Sequence, residues 1–196
     1  TFPNVDFIHT LGNHEYYGDF SGTVAGNILQ IPGKDYYSVE YGDVYVAVIN
    51  DGADLSEACA WLQQDAAQST CMWKVLSVHQ PPYYTNTNGG SEKFHELIPA
   101  AAEAAGIDVV FSGHNHSYAR IMAKDGAAVT ENGVTYFICG DLGEKSRDIN
   151  YAINSDFEYA YAEQKYEGLI LYVTANDQTM TVSAYDSKDG RLVIRR

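Results

Sequence analysis

Three apolar runs, VYVAVIN (44–50), WKVLSV (73–78) and IDVVFS (107–112), are separated by two stretches with helical spacing. No other feature constrains the fold of this chain as much. Short runs rich in Val and Ile suit buried strands. Between the first two, Leu55, Ala58, Cys59 and Leu62 of LSEACAWLQQDAAQ (55–68) share one helical face, with Ser56 as the expected cap. Residues 91–105 form the second predicted helix, closed by Gly106. Upstream, YYSVEY (36–41) joins VYVAVIN through Gly42-Asp43, a two-residue hairpin signal, and VDFIH (5–9) reads as a further strand. Downstream, 117–123, 134–139, 168–175, 179–186 and 191–195 read as strands. Strand–helix–strand units followed by hairpins predict an α/β fold, with a mixed sheet packed against helices.

The chain has 196 residues, without repeat or linker, which suits one domain with a sizeable core and is too short for two. Its 45% apolar and 13% aromatic content excludes a disordered chain. No apolar run approaches the ~18 residues of a membrane helix. Acidic residues outnumber basic ones 26 to 12, a formal charge of -14. That field repels nucleic-acid backbones and anionic membranes, so neither is an expected partner. It also repels phosphate, unless bound cations invert its sign locally. Cys59, Cys71 and Cys139 lack zinc-ribbon spacing. A helix between Cys59 and Cys71 would hold them ~15 Å apart, beyond disulfide reach, so all three read as free or buried thiols.

Side chains with metal-ligand chemistry gather at the predicted strand ends. Asn13 and His14 of LGNHEYY (11–17) follow VDFIH, His79 follows WKVLSV, and His114 and His116 of SGHNHSYAR (112–120) follow IDVVFS. Four of the six histidines thus lie where open α/β sheets bind ligands. Imidazoles with an amide oxygen suit zinc, iron or manganese rather than calcium. His114 and His116 are two apart, so in extended chain their rings leave on the same side. Such a pair can hold one metal, or reach two metals ~3.5–4 Å apart. Gly12 and Gly113 permit close backbone approach. Glu15 reads as orienting a neighbouring ligand, His9 and His95 read as structural, and Tyr83 and Tyr84 would line a cleft. The sequon NHS (115–117) lies inside the metal motif and is discounted.

GNHE (12–15), VLSVHQPPYY (75–84) and GHNHSYAR (113–120) resemble the last three motifs of the calcineurin-like metallophosphoesterases. The Tyr118–Arg120 extension and the H-x-P-x-Y loop resemble the purple-acid-phosphatase branch. YYSVEYGDVYVAVIN (36–50) is similar to that family's hairpin, and GVTYFICGDLG (133–143) to its late strand and glycine-rich loop. The resemblance implies a β-sandwich flanked by helices (α/β/β/α). It implies phosphoester hydrolysis by a hydroxide held at two metals of the iron, zinc or manganese type, on a small phosphoester substrate. It assigns Asn13, His79 and His114 to one metal and His116 to the second, and sets His14 beside them to stabilise or protonate the leaving oxygen. Arg120, Tyr118 and Tyr84 become weak substrate-binding candidates, with a structural ion pair as the other reading of Arg120. With the acidic composition, the resemblance also implies an extracytoplasmic location.

Two earlier family motifs, which supply carboxylate ligands, have no counterpart here. Only twelve residues precede Asn13, too few for two strands and a crossover. Asp19, Asp43 and the GDLG of 140–143 do not replace them. Residues 1–196 are therefore expected to be the C-terminal portion of a single metallophosphoesterase domain lacking its first strands, holding zero or one metal. The open edge is expected to be covered by the missing N-terminal segment or by a homo-oligomer. The competing reading is a non-catalytic metal-binding or interaction module of the same fold.

Overall fold

Every predicted strand but VDFIH finds a partner. The computed structural model of the chain describes residues 5–17, 27, 29, 35–84, 91–140, 159–161 and 168–195. Strands β1 (Tyr36–Tyr41) and β2 (Val44–Ile49) form an antiparallel hairpin with Tyr41 opposite Val44. At its turn Gly42 has φ 59°, the positive value that the first central residue of a type II′ turn needs. The chain then passes through helix α1 (Leu55–Ala66) to β3 (Trp73–Val78), and through α2 (Glu92–Ala104) to β4 (Val109–Ser112). After these come β5 (Tyr118–Lys124), β6 (Ala127–Ala128), β7 (Val134–Cys139) and β8 (Tyr159–Tyr161). The order across the sheet is β1-β2-β3-β4-β7-β5-β6, with β8 also paired to β5. β2, β3, β4 and β7 run parallel, and the outer pairings are antiparallel. A second sheet, β11-β10-β9, is built from β9 (Leu169–Ala175), β10 (Met180–Asp186) and β11 (Leu192–Arg195).

The two-residue period of the strands divides the apolar side chains between two cores. Tyr45, Ala47 and Ile49 of β2 join Leu76 and Val78 of β3 under Ala58 and Leu62 of α1 and Ile98 and Ala102 of α2. On the opposite face Val109, Tyr118 and Phe137 pack against Leu169, Val182 and Ala184 of the second sheet. The described residues thus make a helix–sheet–sheet stack. Apart from α1 and α2, only Asn27 and Leu29 among the described residues are in α-helical conformation. All three cysteines are free, and Cys59 is buried.

Two expectations change. The α1 cap is Asp54, not Ser56: its carboxylate accepts from the Ser56 and Glu57 N–H groups at 3.0 Å. Only a residue in extended backbone before the first turn can turn its side chain onto those donors, and Ser56 already lies inside the turn. Asp54→Ala is expected to cost ~1 kcal/mol of stability, as read from urea unfolding.

VDFIH is not a strand, since residues 5–12 make no ladder with either sheet. Every gap between neighbours from β1 to β4 is already filled by pairing, so this segment is held by side chains instead. Tyr37 Oη accepts from His9 N–H and donates to His9 C=O, and the Thr10 and Ser77 hydroxyls bond at 2.6 Å. Val5 and Phe7 stay 54% and 65% exposed, and Val5 and Ile8 line an apolar groove between the sheets.

Candidate metal centre

The parallel strands β3 and β4 put their carboxyl ends at one edge, and the loops that leave them meet the segment bearing Asn13, which brings three donor atoms together. Asn13 opens a short 3₁₀ turn, Asn13–Tyr16; His79 follows β3; His114 follows β4. His79 Nε2 lies 2.9 Å from Asn13 Oδ1 and 3.2 Å from His114 Nδ1. Residues 66 and 35 positions apart in sequence thereby meet at one point.

Each donor is oriented by a neighbour. The Asn13 amide nitrogen donates to Tyr17 Oη at 2.9 Å, which turns its oxygen toward His79. Glu15 reaches back to accept from Gly12 N–H at 2.8 Å and closes the turn. Gly113 N–H donates to the His79 carbonyl at 3.0 Å, tying the two imidazole-bearing loops together. His114 sits at φ 60°, a left-handed conformation that His tolerates better than most residues. Burial, and then the adjacent His114 ring, push the His79 pKa down to about 4, while Glu15 acts in the opposite sense. At neutral pH the ring is uncharged and a lone pair is available.

The spacing fits a bound cation. One proton on His79 Nε2 cannot serve an amide oxygen and an imidazole nitrogen equally well, whereas a cation serves all three donors. Ligands ~2.1 Å from one ion lie ~3.0–3.4 Å apart, near the observed separations. No third His, Cys, Asp or Glu joins the two imidazoles among the described residues, so the convergent set is one amide oxygen and two ring nitrogens.

The loop beyond β4 departs from the extended geometry expected of it. Residues 113–117 fold into tight bends in which Asn115 N–H donates to Gly113 O at 2.6 Å and Ser117 N–H to Asn115 O at 2.7 Å. The left-handed turn at His114 breaks the two-residue alternation, so His114 and His116 do not leave on the same side of one strand. His116 and His14 lie within electrostatic range of His79, and His14 is exposed with its ring 4.9 Å from that of Tyr17. The close approach expected at both glycines belongs to Gly12 alone. A Cβ there would stand 2.6 Å from the His79 ring, whereas one at Gly113 would make an ordinary 3.7 Å contact.

Two substrate-binding candidates turn away from the centre. Tyr118 is 2% exposed, sealed between the sheets, and burial raises its pKa to about 12. Arg120, 4% exposed, lines a cavity of about 290 Å³ with Trp73 and Asp108, on the inter-sheet face. Alternation along β5 carries both inward, so a structural role fits each. Tyr84 is half-buried with its ring 6.4 Å from that of His95. The structural readings of His9 and His95 agree with their bonds, His9 to Tyr37 and His95 Nδ1 to the Pro82 carbonyl at 2.7 Å. Asn115 of the sequon is buried. Asp19, residues 85–90 of the tyrosine loop and residues 141–143 of the glycine-rich loop lie outside the described residues.

A family model for calcineurin-like phosphoesterases matches residues 2–118. The chain belongs to that family. Among calcineurin-like phosphoesterases it is similar to purple acid phosphatase 22 of Arabidopsis thaliana, with 31% identity over 118 residues, 56% of this chain and 27% of that one. To purple acid phosphatase 23 of the same plant it is 25% identical over 161 residues, 72% of this chain and 35% of the relative. The chain therefore spans about a third or less of these relatives. In fold it is similar to the purple acid phosphatase PPD1 of yellow lupin (Lupinus luteus) seeds, with TM-score 0.75 at 15% identity over 89% of this chain and 35% of that one. GAP50 of Plasmodium, an anchor in the inner membrane complex, has TM-score 0.57 at 15% identity, over 82% of this chain and 52% of that one.

For this calcineurin-like phosphoesterase the contact between Gly12 and His79 gives a sharp test. Gly12→Ala must displace either the ring or the turn that carries Asn13, because the added carbon meets three ring atoms. The expected result is metal affinity ~10–100-fold lower and stability lower by ~1–3 kcal/mol, measured by metal titration and thermal melting.

Proposed function

We propose that Asn13, His79 and His114 hold a metal ion and that the complete protein hydrolyses phosphoric esters at a dinuclear centre of which these residues form one half. The convergence of Asn13 Oδ1, His79 Nε2 and His114 Nδ1 carries this reading. When bound, metals of the zinc, iron or manganese type lower the pKa of water and neutralise phosphoryl oxygens. They also account for how a chain of charge -14 accepts an anionic ester. The residues of this chain hold and orient. Tyr17 and Glu15 fix the turn that presents Asn13, and Gly12 leaves room for the His79 ring. His14, exposed on the same turn, delivers a proton to the leaving oxygen. His116 would hold a second metal, together with carboxylates supplied by the rest of the complete protein.

The apolar groove between the sheets, about 940 Å³ and lined by Val5, Ile8, Val46, Val75, Phe111 and Val173, supports the same view. We infer that additional strands of the complete domain, or a second copy of the chain, cover it. One observation favours the non-catalytic reading: among the described residues no carboxylate joins the imidazoles. In that case the chain binds one ion without turnover.

Hydrolysis of a generic aryl phosphate, with and without added zinc, iron or manganese, tests the proposal. The complete protein is expected to turn over in a metal-dependent way and the 196-residue chain alone to stay near background. A complete protein that stays inactive with every metal overturns the enzymatic reading. Robust turnover by the chain alone overturns the half-site.

A further inference from the structure

Three consecutive residues beyond β2 touch two of the three segments that carry the donors of the centre. Asn50, 1% exposed, accepts from Leu11 N–H through its side-chain oxygen at 2.7 Å, and Asp51 N–H donates back to Leu11 C=O at 3.1 Å. Leu11 is thereby bonded at both backbone groups, two residues before Asn13. One residue on, the backbone of Gly52 hydrogen-bonds to the Tyr16 hydroxyl, and a Cβ on Gly52 would strike the Tyr16 ring. The 3₁₀ turn is therefore gripped at both ends.

The Asp51 side chain points the other way. Asp51 Oδ2 accepts from Gln80 Nε2 at 2.9 Å, and its carboxylate also takes the Gln80 backbone N–H. Gln80 follows His79 directly. One short segment thus fixes the distance between the turn bearing Asn13 and the loop bearing His79. It does so with buried or half-buried hydrogen bonds, which cost most when one partner is removed. Asn50 is itself anchored, its N–H donating to Asp35 O at 2.8 Å and its carbonyl accepting from Ala53 N–H at 3.1 Å.

We propose that Asn50 and Asp51 are positioning residues for the metal centre: they clamp the Asn13 turn to the His79 loop at the spacing that one ion requires. The proposal rests on the metal reading above. It assigns these two residues no contact with metal or substrate, only the placing of those that have it. A ligand shell tolerates little displacement, and loss of such support typically weakens metal binding ~10–100-fold.

The test is Co²⁺ titration into the full 196-residue chain, followed by its visible absorption and paired with thermal melting. The variants are Asp51→Ala, Gln80→Ala, their double and His114→Ala. The expected result is Co²⁺ affinity ~10–100-fold lower in folded Asp51→Ala, with an altered absorption spectrum. Gln80→Ala should lose ~10-fold, and the double should be no weaker than Asp51→Ala because the two share one bond. If wild type and His114→Ala take up Co²⁺ alike, the metal reading fails and the clamp falls with it. If wild type binds through His114 but folded Asp51→Ala matches it in affinity and spectrum, the clamp is overturned while the metal reading stands. Should Asp51→Ala not fold, Gln80→Ala decides, and unchanged affinity there overturns the clamp.

Discussion

His114→Ala is expected to empty the centre of metal and to lower phosphoester hydrolysis by the complete protein at least ~10³-fold, about 4 kcal/mol of barrier. The reason lies in the donor count. Catalytic zinc sites keep three protein ligands, and this centre has three convergent donors, one of them a neutral amide oxygen. Without the His114 ring, one imidazole and that oxygen are left. The backbone there stands at φ 60°, so His114→Gly is the companion variant, because glycine accepts left-handed geometry and carries no donor atom. Both variants should fold and both should lose metal by elemental analysis. Full metal content in either folded variant would remove His114 from the ligand set.

The second large effect is expected at His14, with the opposite pattern. His14→Ala in the complete protein should lower turnover ~10²–10⁴-fold and leave metal content intact. Its side chain is exposed and rests against Tyr17, while its neighbour Asn13 supplies the donor atom. An imidazole in that position can move a proton at the leaving oxygen without holding the ion. Loss of a metal equivalent in His14→Ala would show that the ring is a ligand and would refute this division of labour.

The sequence was most legible where periodicity was long and partners were implied. Val44 to Ser112 reads as strand, helix, strand, helix, strand because each run is buried by the next, and the observed elements follow. VDFIH misled because a short apolar run carries no information about whether a neighbouring strand is free to pair. The meeting of His79 and His114 was legible because parallel strands align their carboxyl ends whatever the chain separation, whereas Asn13 reaches them on a segment that is no strand, held through Leu11 by Asn50 and Asp51. The bend at His114 was not legible, since a left-handed residue between Gly113 and Asn115 leaves no mark on side-chain spacing. Tyr118 and Arg120 sit in a motif full of chemistry, yet alternation along β5 turns both into the inter-sheet face. Asn50 closes the run VYVAVIN, and no motif marks Asp51 or Gly52. Their hold on Leu11 and Gln80 exists only once β2 and β3 lie side by side.

The central claim is that three side chains from three loops form a metal site. Anomalous diffraction from crystals of the chain grown with zinc or manganese tests it most directly. One anomalous peak is expected ~2.0–2.2 Å from Asn13 Oδ1, His79 Nε2 and His114 Nδ1. A well-ordered chain at saturating metal with no peak there, or with its only peak elsewhere, would contradict it.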